Sequence, residues 1–377
     1  MKKILFIICI LYFSIIHAQV DNDKFSFKDV FDLQYVSDPQ ISPSGNEVVY
    51  RRMRFDILKD KAVGDLWIIN SDGTKHQKLT SKEDQEYGAK WSPSGSRLAY
   101  ICSTKEGFEI YIYWKNTGKI AKISQLSGSP SNISWSPDER NIAFNMNIKS
   151  PPPILIKMPE KPNGADWAKP ARITDRLYHE ADGRGYIDPG FNHVFTISSE
   201  GSGVNQLTHG NFNHNGPLSW SEDNSKIYFS SNRNKNWEYD FRNSEIYSIS
   251  LKNNVIKALT NRNGPDYKPA VSPNGEYIAY AGYEDEVQAY QNRSLSIMSS
   301  DGSNKRIISS KIDSSINQYF WDSESEGLFI SYDINGDTKI SYLSLSGKVK
   351  KIASQLGGTS IGRPYGGGSF SVSNNGK

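Results

Sequence analysis

Cysteine is nearly missing from this chain. Only Cys9 and Cys102 occur among 377 residues, and Cys9 lies in a leading apolar stretch. No disulfide framework can therefore hold the fold, and Cys102, at the end of an expected strand, reads as inert packing. Histidine is scarce too, with six residues and none after His214. Charge is balanced at 44 basic against 41 acidic residues, a net of +3, and two of the positives, Lys2 and Lys3, belong to the leader. Without a long basic run there is no electrostatic footprint for nucleic acid. Sustained helical periodicity is absent after the leader, and no phosphate-cradling, dinucleotide or metal-ligand spacing occurs, so no cofactor or metal is expected. What the chain does have is 37% hydrophobic and 12% aromatic residues, enough for a large packed core.

The positive signal is a phrase that returns at nearly fixed intervals. Ile41-Ser42-Pro43-Ser44-Gly45 precedes the apolar run Val48-Val49-Tyr50, and Trp91-Ser92-Pro93-Ser94-Gly95 precedes Leu98-Ala99-Tyr100. Copies follow at Trp135-Ser136, Trp220-Ser221, Val271-Ser272, Trp321-Asp322 and Val372-Ser373. The opening Ser or Asp positions lie 50, 44, 85, 51, 50 and 51 residues apart. Pro presets φ and Gly accepts the positive φ of the turn. A β-branched and aromatic run follows each turn, then a third strand such as Glu109-Ile110-Tyr111-Ile112, then an edge strand ending in Leu79-Thr80 or Leu259-Thr260. Four short strands per period of about 50 residues are the mark of a propeller blade. The expected class is all-β, a seven-bladed β-propeller over residues 24–377 with its seventh blade cut short. Tryptophans at one fixed place in the repeat are expected to pack between blades.

Two stretches fall outside the repeat. Met1-Lys2-Lys3, the apolar run Ile4 to Ile16 and His17-Ala18 have the layout of a signal peptide of residues 1–18. About 13 apolar residues are short for a span of roughly 20, so export to the periplasm or outside is expected, with no membrane span left after cleavage. The second is the 85-residue interval, which holds an insertion over about 148–191 in the third blade. It begins with Pro151-Pro152-Pro153, continues through Pro159, Pro162 and Pro170, and ends in a charged, aromatic, glycine-rich stretch. Proline removes ladder donors, so an irregular excursion is expected rather than another blade.

Ile173-Thr174-Asp175-Arg176-Leu177-Tyr178 with Asp182-Gly183-Arg184-Gly185-Tyr186 resembles the mid-propeller segment of prolyl-oligopeptidase-family serine peptidases, in their acylaminoacyl-peptidase and dipeptidyl-peptidase-like branch. The opening Leu33-Gln34-Tyr35-Val36-Ser37-Asp38-Pro39-Gln40 fits as well. The resemblance implies a propeller that caps an α/β-hydrolase domain and limits access to short peptides. That domain is expected to lie outside this chain, which leaves no catalytic residue to assign. Arg176, Tyr178, Asp182, Arg184 and Tyr186 are the candidates for contact with a peptide terminus or carboxylate, since guanidinium forks bind carboxylates bidentately. The same residues would equally pin the excursion to the propeller by ion pairs and ring packing. The alternative is a non-enzymatic TolB-like periplasmic propeller, an interaction platform. A carbohydrate-acting propeller would need His and carboxylates at matched blade positions, which the repeats do not display.

Three local patterns are decoys. Gly358-Thr359-Ser360-Ile361-Gly362 satisfies G-x-S-x-G, but no His, Asp or Glu follows Ser360, contrary to the order a nucleophile elbow requires. Asp333-Ile334-Asn335-Gly336-Asp337 mimics a calcium loop, yet Asn335-Gly336 between apolar runs is a hairpin signal. His179, His193, His209 and His214 are spaced too loosely for a metal site and read as surface-loop residues.

Overall fold

The structure, a computed structural model, describes residues 24–80, 85–151, 154–156, 159–168, 171–183, 185–357 and 368–375. The leader and the Gly358–Gly362 pattern lie outside them. A single short helical turn, Asp29–Asp32, precedes the first strand. Everything after it is strand and turn.

Six four-stranded antiparallel sheets form six blades of a propeller. Blade one is Gln34–Ile41, Glu47–Asp56, Lys61–Asn70 and Gln77–Lys78, and blade two is Glu86–Trp91, Arg97–Thr104, Gly107–Trp114 and Lys119–Lys122. Blade three is Pro130–Trp135, Asn141–Lys149, Gly190–Ser198 and Val204–Gln206. Blade four is His214–Trp220, Lys226–Ser231, Glu245–Ser250 and Ile256–Ala258, and blade five is Asp266–Val271, Tyr277–Gly282, Ser294–Ser299 and Arg306–Ile307. Blade six is Ile316–Trp321, Gly327–Ile334, Asp337–Ser344 and Val349–Leu356. First strands of successive blades pack on one another and line the axis, while outer strands such as Lys119–Lys122 are exposed. Residues 150–189 leave blade three between its second and third strands, which pair directly from Asn141↔Ser198 to Lys149↔Gly190.

Each Ser-Pro-x-Gly turn is closed in the same way. In the first five blades the opening serine accepts the amide five residues on, as in Ser92 Oγ from Arg97 N at 3.2 Å and Ser136 Oγ from Asn141 N at 2.9 Å, and in blade six Asp322 Oδ1 accepts Glu326 N, four residues on, at 2.9 Å. The fourth turn position has positive φ in all six blades: Gly45, Gly95, Glu139, Asn224, Gly275 and Ser325, between 59° and 73°. Where this residue is not glycine, its side chain reaches back to an amide of the preceding blade's turn. Asn224 Oδ1 takes Asp138 N at 3.1 Å, Ser325 Oγ takes Asn274 N at 3.1 Å, and Glu139 takes Ser94 N.

Blades are joined by one apolar cluster per neighbouring pair. Ile110, Ile112, Ile133 and Phe144 bridge blades two and three, for example, and Ile246, Leu259, Ile278 and Tyr280 bridge four and five. Burial of this surface, at about 25 cal/mol per Å², is the main cohesive force. The repeat tryptophans add direction to it. Each indole N–H donates to a backbone carbonyl of the preceding blade: Trp91 to Gln40, Trp135 to Lys90, Trp220 to Ser134 and Trp321 to Ala270, at 2.9 to 3.1 Å. In blade five, where valine replaces tryptophan, Val271 N instead donates to Ser219 Oγ at 3.0 Å. Asn335 and Gly336 form the expected hairpin turn, both at positive φ.

Candidate functional site

Antiparallel order puts two kinds of connection on opposite ends of the ring. The Ser-Pro-x-Gly turns occupy one end, the turn face. Links between blades and the loops joining second to third strands occupy the other, the loop face. The insertion is one such loop, so it belongs to the loop face.

The insertion returns to blade three through Gly190, where φ is 147° and a Cβ would fall 2.4 Å from Ile148 O, so only glycine fits. Arg176 is held there. Its guanidinium donates to Gly190 O at 3.0 Å and lies 4.0 Å from the centre of the Phe191 ring. Phe191 in turn meets Trp237 of the blade-four loop edge-on at 6.0 Å. Arg176 thus anchors the excursion. Glu180–Ala181 and Gly185–Tyr186 pair as a small hairpin around an exposed Asp182. Tyr178 is exposed, and Tyr186 is half covered by the Arg172 guanidinium at 4.4 Å. Asp182 and Tyr186 therefore lie on one exposed hairpin with Tyr178 just ahead of it, whereas Arg176 turns to Gly190 and Phe191, and Arg184 lies outside the described residues.

The histidines correct the sequence reading. His193 and His214 are buried, not loop residues, because strand register turns both inward. Their rings lie 5.2 Å apart, with His209 6.4 Å from His193. His214 Nδ1 faces Asn192 O at 3.1 Å, and its Nε2 faces an Arg233 N–H at 2.6 Å. A carbonyl only accepts and a guanidinium only donates, so His214 is the neutral tautomer protonated on Nδ1. Burial pushes both residues down to about 4, with the Arg233 charge adding to the effect. Among the described residues no group of three or more His, Cys, Asp or Glu is arranged to hold a metal.

His193 also stands where other blades carry a carboxylate at the start of the third strand. Ser124 Oγ donates to Glu109 there, and Thr260 Oγ1 donates to Glu245 at 2.5 Å. Thr208 Oγ1 meets His193 Nδ1 at 3.3 Å in the same register. The hydroxyl also takes the next backbone amide, as Thr208 from Val194 and Thr260 from Ile246, both at 2.9 Å. Burial pushes the Glu245 carboxyl up to about 7. Sequence reasoning missed as well a chain of asparagine hydrogen bonds joining blades three and four. Asn192 Nδ2 donates to Asn215 Oδ1 at 3.3 Å, Asn147 Nδ2 to Asn192 Oδ1 at 3.2 Å, and Asn145 Nδ2 to His214 O at 2.9 Å.

Exposed apolar side chains are sorted between the faces. Among the described residues, large ones at least 70% exposed are Leu58, Ile154, Leu155, Ile156, Tyr178, Tyr239, Phe241, Val287 and Tyr290, together with Phe25 and Phe27 ahead of blade one. All of the first nine lie in loops between second and third strands. Among the described residues the turn face has none at that level, its Val255 being 57% exposed. No helix among the described residues is long and apolar enough to cross a membrane.

Comparison with known proteins agrees with this layout. The family described as dipeptidyl peptidase IV (DPP IV) N-terminal region matches residues 167–285. Dipeptidyl-peptidase 5 of Porphyromonas gingivalis is 23% identical over 340 residues, covering 85% of this chain and 48% of that protein. Acylaminoacyl peptidase of Pyrococcus horikoshii superposes with a TM-score of 0.67 at 16% identity, over 89% of this chain and 48% of that one. A TolB-type protein from Agrobacterium tumefaciens gives 0.50 at 13% identity, over 82% of this chain and 89% of that one. The chain spans about half the length, or less, of the curated relatives it matches.

Proposed function

Because this chain carries the N-terminal propeller portion of the prolyl-oligopeptidase family of peptidases, we propose that it is the substrate-gating part of an exported serine peptidase acting on short peptides. The Ser, His and Asp of the reaction would come from an α/β-hydrolase domain seated on the loop face. One observation carries this: the most exposed large apolar side chains of blades one to six are gathered on the loop face. Apolar patches of this kind, rimmed by polar residues, mark docking surfaces. Topology points the same way, since a blade's first strand starts and its fourth strand ends at that face, so links to a further domain emerge there.

A seventh blade would close the ring over residues 24–377. Ile41 N donates to Ser371 Oγ at 2.9 Å, the contact that Val271 N makes with Ser219 Oγ between blades four and five. Asn375 Nδ2 donates to Ser44 O at 2.8 Å, and Phe370 meets Phe320 edge-on at 5.1 Å. Both neighbours of a seventh blade are thereby already engaged. In this reading the insertion over about 148–191 leans over the axial opening, and Tyr178, Asp182 and Tyr186 touch the peptide while Arg176 holds the hairpin in place. Residues 1–18 direct export.

The test is the coding sequence beyond Lys377 at the native locus, combined with fluorophosphonate labelling of the exported product. The expected result is a continuing frame of about 250 residues, the size of one more domain, with G-x-S-x-G followed by Asp and His and a labelled serine. A stop codon directly after Lys377 with no labelling would overturn the peptidase reading.

A further inference from the structure

Between blades four, five and six the loop face holds a cleft of about 420 Å³, within the size range of small-ligand pockets, about 300 to 1,000 Å³. Two guanidinium groups, from Arg242 and Arg293, share its lining with the phenols of Tyr283 and Tyr290 and the amides of Gln291 and Asn317. Arg293 is held by an N–H that donates to Asn317 Oδ1 at 2.9 Å and lies beside the Tyr267 phenol, while its Nε is buried without a hydrogen-bond partner. Among the described residues neither guanidinium lies within ion-pair distance of a carboxylate.

Carboxylates nearby are already committed. Asp333, the one acid in the lining, accepts Thr338 Oγ1 at 2.6 Å on one oxygen and Asn317 Nδ2 at 2.8 Å on the other. Asp285 accepts Val287 N at 2.9 Å, and Glu286 accepts Gln288 Nε2 at 2.6 Å, each within its own loop. A third cation adjoins the cleft at the channel wall. Lys268 Nζ donates to Asn317 O at 3.3 Å, and burial, with Arg293 beside it, holds its ammonium below the usual range.

We infer that this cleft binds the carboxylate of a short peptide, with Arg293 and Arg242 as the two anchors and the side-chain amides and phenols meeting the peptide backbone. The inference rests on the peptide-gating reading for its substrate class. Its chemistry comes from two guanidinium groups that no carboxylate pairs: planar, permanently charged donors of this kind suit a carboxylate's two oxygens. Amide side chains beside it suit peptide C=O and N–H groups, which a phosphate site would not need.

Calorimetric titration of the whole chain with the tripeptide Gly-Ala-Phe as free acid, with its C-terminal amide, and with Gly-Glu-Phe amide tests this. The free acid should bind about tenfold or more tightly than the plain amide, the scale of one charge-assisted hydrogen bond. Arg293→Gln and Arg242→Gln should each bring the acid down to the amide's affinity and leave the amide unchanged, with circular dichroism unaltered. Acid and Gly-Glu-Phe amide binding alike assigns a side-chain carboxylate, and acid alone assigns the terminus; either supports the site. Equal affinities for acid and plain amide, an acid-to-amide ratio untouched in both variants, or no binding up to about 10 mM overturns it. Peptidase activity is read separately by the fluorophosphonate label. A labelled protein that ignores the carboxylate sinks only this inference, and an unlabelled chain that selects it sinks only the peptidase reading.

Discussion

Replacing His214 with glutamine removes one titrating group from the interior of the ring without emptying its place. A glutamine amide can still donate toward Asn192 O and accept from Arg233. Burial holds His214 at about 4 in the folded protein, against about 6.5 in an unfolded chain. The folded-state value is depressed, so as pH falls below about 6.5 the unfolded chain takes up the proton first. The stability from keeping His214 neutral is therefore present above that pH and lost as pH falls toward 4. Between pH 7 and pH 5 the loss works out at about 2 kcal/mol from the two values. Glu245 tilts the other way: its carboxyl is raised to about 7, so the folded state retains a proton that the unfolded chain releases, and stability falls as pH rises through that range. Raw pH profiles mix these slopes, but the difference between wild type and His214→Gln isolates the histidine. Urea unfolding followed by tryptophan fluorescence at both pH values should show wild type losing about 2 kcal/mol relative to the variant on going from pH 7 to pH 5. A difference that stays constant to within about 0.5 kcal/mol would refute a buried neutral His214.

Trp135→Phe deletes the indole donor to Lys90 O and puts a smaller ring under the Arg97 guanidinium, which now lies 4.9 Å from the indole. It should cost about 1 to 3 kcal/mol of unfolding free energy, while Phe320→Leu at a partly exposed position should cost less. Asn224 sits at φ 59° and bonds to the blade-three turn. Asn224→Ala should cost about 2 to 3 kcal/mol by adding left-handed strain to the lost bond, whereas Asn224→Gly should cost about 1 kcal/mol or less; thermal melts rank the pair, and equal costs would contradict the strain argument. Arg176→Ala should leave the melting temperature within a few degrees but expose residues 150–189 to limited proteolysis, because it releases the contacts to Gly190 and Phe191. Unchanged cleavage there would mean the insertion is held by something else.

The blade architecture was legible because its chemistry is local and repeated. A turn that needs one positive φ, a strand that needs alternating burial and a tryptophan that bonds to the previous blade all recur at intervals near 50 residues. Glycine was the visible sign of the turn, and three blades do without it: Glu139, Asn224 and Ser325 take the same φ because each side chain bonds across to its neighbour. The insertion's exit was legible as a longer interval, but its anchoring was not. Arg176 meets a ring 15 positions later that is itself packed on Trp237, a three-part contact that spacing within one segment cannot reveal.

The buried histidines show where a usable signal went unread. Taken alone, His193 and His214 have loose spacing and no company, and nothing local separates them from loop residues. Aligned by repeat, His193 falls on the position of Glu109 and Glu245. In each of these three blades a hydroxyl residue follows 15 positions later: Ser124, Thr208 and Thr260. That interval spans the third strand, its turn and the whole short fourth strand, with the hydroxyl two positions past its end, so it brings the pair side by side whatever the first residue is. A polar residue at this place is buried and needs the hydroxyl; a carboxylate accepts its proton, and a neutral imidazole can do the same through Nδ1. Substitution of one acceptor for another at a fixed register is thus a sequence-level sign of a buried, neutral histidine. It also puts His193 beside His214 at the rim of the next blade, next to Arg233. The polar cluster on the loop face then follows from the repeat and does not require the insertion at all.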